Sequence, residues 1–162
     1  MKKKQILFLT QGALIAALYV VLTLFINAFG LANGAIQIRI SEALTILPFF
    51  TPAAIPGLAI GCLLANILTG AVVWDVIFGT LATLLGAVGT YLLRKYKWCA
   101  ALPPILSNAI IIPVILRYAY GVKDALWFLV LTVGAGEVLS AGVLGMILLF
   151  ALQRYKHIIF KN

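Results

Sequence analysis

Long apolar runs, separated by short clusters of charged, glycine and proline residues, set the rhythm of this chain. The first run covers residues 6–29, and a helix needs about 20 residues to cross a bilayer core. It ends at Gly30 and the turn signal Asn33-Gly34. The next six residues, Ile36-Gln37-Ile38-Arg39-Ile40-Ser41, alternate apolar and polar. That period predicts an extended segment with one buried face, and hence an extended loop between the first and second helices. A second, short apolar stretch covers residues 42–50 and is followed closely by Pro52 and Pro56. It is too short to span alone, so it predicts a short tilted or re-entrant helix.

Four more runs follow, at residues 56–71 (or from 53), 74–93, 100–117 and 125–152. The fourth helix closes on the basic loop Arg94-Lys95-Tyr96-Lys97, and the fifth is entered through Pro103-Pro104 and carries Pro113. The pattern therefore predicts an all-α integral membrane protein, a bundle of six transmembrane helices with a short second segment. Residues 1–162 form a single membrane domain, without a linker or low-complexity tract.

Composition agrees. Of 162 residues, 64% are apolar and 10% charged, against roughly 25% charged in soluble domains. Lys2, Lys3 and Lys4 before an apolar run resemble a signal peptide, but such a peptide has a core of about 7–15 residues. The longer run here reads as a retained first helix. Basic residues stay on the cytoplasmic side. Six spans with both termini in the cytoplasm put Lys2, Lys3, Lys4, Arg94, Lys95, Lys97, Arg154, Lys156 and Lys161 inside, and Arg39, Arg117 and Lys123 outside. If the second segment did not span, Arg94–Lys97 would fall outside and the bias would vanish. These cations account for the net charge of +8 as anchors near anionic lipid. They call for no nucleic acid.

Catalytic chemistry has little to work with. Cys62 and Cys99 lack metal or redox spacing, and His157 is the single histidine. No phosphate-binding glycine loop and no hydrolase or metalloprotease motif is present. The reading is no enzyme, no cofactor and no metal.

Polar residues within the spans are more informative, because an ionisable group at bilayer depth is costly and usually functional. The acids are Glu42, Asp75, Asp124 and Glu137. With alternating helix directions, Asn66 falls in the outer half and Asp75 at an outer end beside Trp74. Arg39 and Glu42 begin the second segment, and Asn108 lies near mid-helix. At 1.5 Å per residue Glu137 lies roughly 18 Å deep, flanked by Gly134 and Gly136. Together these positions describe a cup open to the outside. Taken singly they also read as an ion pair (Arg39 and Glu42), a helix cap (Asp75) and interhelical glue (the asparagines). In the first helix, Gly12-x-x-x-Ala16 and Ala13-x-x-x-Ala17 permit close packing, internal or against a partner.

Several blocks resemble one family. They are Gln37-Ile38-Arg39-Ile40-Ser41-Glu42-Ala43-Leu44, the proline-rich run from Leu47 to Leu58, and Ile60-Gly61-Cys62-Leu63-Leu64-Ala65-Asn66. Asp75-Val76-Ile77-Phe78-Gly79-Thr80-Leu81, Leu102-Pro103-Pro104 with Asn108, and Gly136-Glu137 complete the set. Across nearly the whole chain the sequence resembles the QueT family, S-components of energy-coupling factor (ECF) transporters assigned to queuosine precursors.

The resemblance implies six helices, a solute taken up from the outer side and no ATPase activity of its own. It also implies partners: an ECF transmembrane scaffold subunit carrying two cytoplasmic ATPase subunits. The docking surface it implies is the Ala-x-x-x-Ala face, Ala13 and Ala17, beside Gly12 and Ala16. The implied solute is a 7-deazaguanine base. Such a base presents two adjacent donors that one carboxylate accepts in parallel. Glu137 is the first candidate for this, then Glu42 or Asp75. Asn66 and Asn108 each donate and accept, Trp74 or Trp127 supplies a stacking face, and Arg39 holds the acids charged. The competing readings are an autonomous proton-coupled carrier built around Glu137 and, with less support, a membrane enzyme.

Overall fold

A computed structural model describes residues 2–29 and 39–159. The extended loop and the Asn33-Gly34 turn lie outside the described residues, as do Lys161 and most of the alternating segment. The described residues are helical, with α1 (Lys3–Ala28), α2 (Ala54–Leu68), α3 (Val73–Leu92), α4 (Leu102–Tyr118) and α5 (Leu126–Gln153). A single-turn α6 (Lys156–Ile159) follows. Between α1 and α2 a wedge, Ile40–Phe49, is wound as a 3-10 helix.

Four helices are long and apolar enough to cross a membrane: α1, α3, α5 and Lys97–Tyr118, which contains α4. The wedge and α2 are shorter apolar helices. The chain is thus a membrane bundle of six helices with a short second segment. One expectation is corrected here. Ile40 and Ser41 belong to the 3-10 wedge and not to an extended strand. From Ser41 through Pro48 the wedge is buried, so no lipid-facing side imposes a helical period on it. Ten residues at about 2 Å each cover some 20 Å, less than the ~30 Å core.

Helices α1 to α5 pack in chain order, and the wedge fills the seam between α1 and the later half of α5. Small residues set the spacing. Gly57 and Gly61 of α2 face Gly12, Ala16 and Tyr19 of α1, so that a Cβ on Gly57 would stand 2.6 Å from the Gly12 carbonyl oxygen. With no strong hydrophobic drive in lipid, such backbone approach is what holds helices together. At the end of the bundle that carries the termini, Gly86 and Gly89 of α3 receive Pro104 and Pro103 of α4. There the Thr90 hydroxyl donates to the Ala100 carbonyl at 2.8 Å. That end is closed. The opposite, distal end, formed by residues 69–72 and 119–125, is where the polar side chains collect.

Candidate functional site

The distal end holds a cavity of about 380 Å³, within the range of small-molecule sites. Arg39 and Ser41 enter it from the start of the wedge, Asn66 and Thr69 from the end of α2, Asp75 from the start of α3, and Thr23 and Asn27 from α1. Ile112 and Ile115 of α4 form an apolar wall, and Tyr120 of the α4–α5 loop closes the ring.

Hydrogen bonds fix these side chains before any ligand arrives. Arg39 Nη2 donates to Asn66 Oδ1 at 3.4 Å, and Asn66 Nδ2 donates to the Asp75 carbonyl at 3.3 Å. The Tyr120 hydroxyl donates to Asp75 Oδ2 at 2.9 Å. Burial and the neighbouring Asp75 carboxylate push the Tyr120 phenol above its ordinary pKa, which keeps it a donor. The Arg39 backbone N–H donates to Ser140 Oγ at 3.2 Å, pinning the wedge to α5. Asp75 Oδ1 is buried without a hydrogen-bond partner. It lies over Gly79, where a Cβ would come within 2.7 Å of it and 3.2 Å of Asn66 Nδ2. Gly79 thus leaves the carboxylate room to face the cavity.

A second polar group lies deeper. Glu42 is wholly buried, accepting from the Tyr19 hydroxyl at 2.5 Å and from Asn108 Nδ2 at 3.4 Å. Asn108 also lies beside Glu137, whose Oε2 is buried without a partner. Asn108 is one turn below Ile112, so this group sits beneath the cavity rather than on its wall. Directly after Glu137, residues Val138–Leu144 of α5 are wound as a π-helix, a form frequent at functional sites.

The structure therefore brings Arg39, Asn66 and Asp75 together at the cavity, and Glu42, Asn108 and Glu137 together beneath it. Sequence reasoning ranked Glu137 above Asp75 because of depth. The cavity wall, however, reaches Asp75 and not Glu137. Trp74 and Trp127 are not brought to the cavity. They are 59% and 67% exposed on the outside of the bundle, Trp74 stacked on Phe78 with ring centroids 6.0 Å apart. Facing outward at the start of a helix, each suits the belt where lipid meets water. Tyr120 supplies the cavity's aromatic side chain instead.

Sequence reasoning missed Tyr19, Thr23, Ser41, Gly79 and Tyr120. Tyr19 left a signal, because a buried phenol in an apolar run needs a polar partner. Tyr120, in a loop, left none. On α1, Ala16 packs inward and Gly12 lies against α2, whereas Ala13 and Ala17 are exposed.

Among the described residues no group of three or more His, Cys, Asp or Glu could hold a metal. What the fold and site define is a multi-pass membrane protein, a helical bundle with a preorganised polar cavity at one end. The chain belongs to the QueT transporter family, whose model matches residues 9–154. It is similar to the queuosine precursor transporter QueT of Lactococcus lactis subsp. cremoris (strain MG1363), with 38% identity over 98 residues. That alignment covers 60% of this chain and 57% of the relative, so it spans little more than half of the curated protein. No solved structure matches.

Proposed function

We propose that this chain is the membrane-embedded substrate-binding subunit of an ATP-driven ECF importer. It captures a queuosine precursor, a 7-deazaguanine base, from outside the cell. The observation that carries this reading is the cavity with Arg39, Asn66 and Asp75 on its wall, one Asp75 oxygen lacking a partner. A guanine-type edge donates from its ring N–H and exocyclic amine, and a carboxylate accepts both. Asp75 fills that role, while Arg39 donates to the base carbonyl and Asn66 serves either polarity. Glu137 holds an acid in reserve one level deeper.

Both termini lie in the cytoplasm in this reading, which turns the cavity outward and sets the basic ends of the chain toward anionic lipid. Ala13 and Ala17 form the exposed small-residue strip that docks on the scaffold subunit, and through it on two ATPases. The chain itself is not an enzyme. The test is a binding screen of purified protein against 7-deazaguanine bases, guanine and common vitamins. Selective binding of a deazaguanine supports the reading, and binding of an unrelated vitamin in its place ends it.

One observation favours a second reading. The unpartnered Glu137 oxygen at depth is what a proton-coupled carrier needs. Solute uptake by the purified chain alone in proteoliposomes, driven by a pH gradient, would decide for that alternative.

A further inference from the structure

The α4–α5 loop is braced by hydrogen bonds to its own backbone. Arg117, in the last turn of α4, directs Nη1 at the carbonyl oxygens of Val122, Lys123 and Asp124, at 3.3, 2.7 and 2.8 Å. Backbone bonds from Tyr120 N to the Ile115 carbonyl (3.2 Å) and from Val122 N to the Leu116 carbonyl (3.0 Å) continue the winding. Gly121 takes φ +69, the left-handed conformation that glycine adopts without strain. A guanidinium in the middle and glycine at the bend make the loop a preformed arch.

The arch presents Tyr120. Its hydroxyl is used twice, accepting from the Val72 N–H at 3.4 Å and donating to Asp75 Oδ2 at 2.9 Å. Those two bonds anchor the phenolic end of the ring to the start of α3. Among the cavity-lining residues Tyr120 is the single aromatic. The other polar wall residues offer hydrogen-bonding groups, and the one other planar group, the Arg39 guanidinium, is engaged at its edge by Asn66.

We propose that Tyr120 is the stacking platform for the flat base, and that Arg117 is a positioning residue that holds the platform through the arch. This rests on the deazaguanine reading above. Stacking on an aromatic ring adds affinity without reading the edge, so Tyr120 favours a planar base while Asp75, Arg39 and Asn66 select which one. Arg117 touches no ligand. Its charge serves three carbonyls that water would otherwise solvate, and the loop keeps its shape whether or not the site is filled.

The experiment measures affinity and ultraviolet hypochromism of bound 7-cyano-7-deazaguanine, a neutral probe, on purified wild type and four variants. Tyr120→Leu is expected to weaken binding about ten- to a hundred-fold and to abolish the hypochromism. Tyr120→Phe keeps the ring, so the expected loss is smaller, about two- to ten-fold, with hypochromism retained. Arg117→Gln is expected to lower both affinity and hypochromism, with partial recovery in Arg117→Lys.

Hypochromism that persists in Tyr120→Leu, or a Phe variant as damaged as the Leu variant, overturns the platform. An Arg117→Gln variant with wild-type hypochromism overturns the positioning role. If wild type binds none of the deazaguanines, the substrate reading fails and takes the platform with it. If wild type binds and only the platform variants behave like wild type, the substrate reading stands and the platform alone is lost.

Discussion

Tyr19 of α1 donates its phenolic hydrogen bond to Glu42 of the wedge at 2.5 Å, and both residues are 0% exposed. The pair ties the first helix to the short segment that fills the seam. It also accounts for how a carboxylate resides in the middle of an apolar bundle. One Glu42 oxygen is served by Tyr19 and the other by Asn108 Nδ2 at 3.4 Å. Tyr19→Phe should leave an acceptor unpaired in a dry interior, at a cost of about 1–3 kcal/mol. Thermal unfolding in detergent should show the drop. A double-mutant cycle with Glu42→Leu should show clear non-additivity, since the second change removes the acceptor that the first one strands. Additive losses would mean that the two side chains do not depend on each other.

Gly57 and Gly61 should tolerate no side chain. A Cβ at Gly61 would lie 2.8 Å from Tyr19 Cβ and 3.0 Å from the Ala16 carbonyl oxygen, and at Gly57 it would meet backbone even closer. Backbone cannot rotate out of the way, so α1 and α2 must separate. Alanine at either position should destabilise by about 1–3 kcal/mol, again read as a lower unfolding temperature. Gly134→Ala serves as the control, because its Cβ would have ordinary contact with Ala109 at 3.8 Å.

Gly79→Ala should behave differently. The nearest atom to its Cβ would be Asp75 Oδ1, the end of a side chain that can turn away. Folding should survive, while the carboxylate swings off the cavity wall. Calorimetry should find weaker ligand binding at nearly unchanged unfolding temperature. Unchanged affinity would show that Asp75 Oδ1 does not meet the ligand.

The two candidate acids can be ranked. Asp75→Asn should weaken a deazaguanine by about ten- to a hundred-fold, the loss of one charge-assisted bond of about 1.5–3 kcal/mol. The loss should be larger for an aminomethyl-bearing ligand than for a nitrile-bearing one. Glu137→Gln should cost less, because the cavity wall includes Asp75 and not Glu137. The reverse order in titration calorimetry would return the base-reading role to Glu137.

Legibility in the sequence followed the physics of each segment. Helices α1, α3, α4 and α5 were plain, because lipid demands about 20 apolar residues in a row and turn residues or charge mark their ends. The wedge was half-legible. Its shortness showed, but its 3-10 winding did not, since a segment with no exposed side carries no periodicity. Arg39, Asn66 and Asp75, which the structure gathers at one cavity, were legible as candidates because each is polar where the solvent is lipid. Their grouping was legible only through helix direction. The tryptophans were ambiguous, because an aromatic at a helix end serves the lipid interface as readily as a ligand, and neither lines the cavity. Tyr120 was hidden, because it lies in the α4–α5 loop, where no spacing rule says which way a side chain faces.

Replacing Ala13 and Ala17 together with leucine should block ATP-driven uptake and leave solute binding intact. Both side chains are exposed on α1, so the added volume disturbs no internal contact, and it would separate helices that must touch in lipid. Normal uptake by the double variant in vesicles holding the complete transporter would count against docking through this strip.

The π-wound stretch Val138–Leu144 gives α5 two independently phased halves. In a uniform α-helix, the face that carries Glu137 would dictate which face of residues 145–153 meets the wedge. The wider turn breaks that dictation. Glu137 can point at Asn108 while Gly145, a turn or two later, still presents its bare backbone to Ala43, where a Cβ would stand 3.5 Å from the carbonyl oxygen. Rewinding all seven residues at ordinary pitch would rotate one half against the other by about 100°, whereas removing one residue would let the stretch return to that pitch with its two halves still in phase. The length of this segment, more than the identity of any residue in it, sets the angular register between the polar layer and the packed end of the molecule.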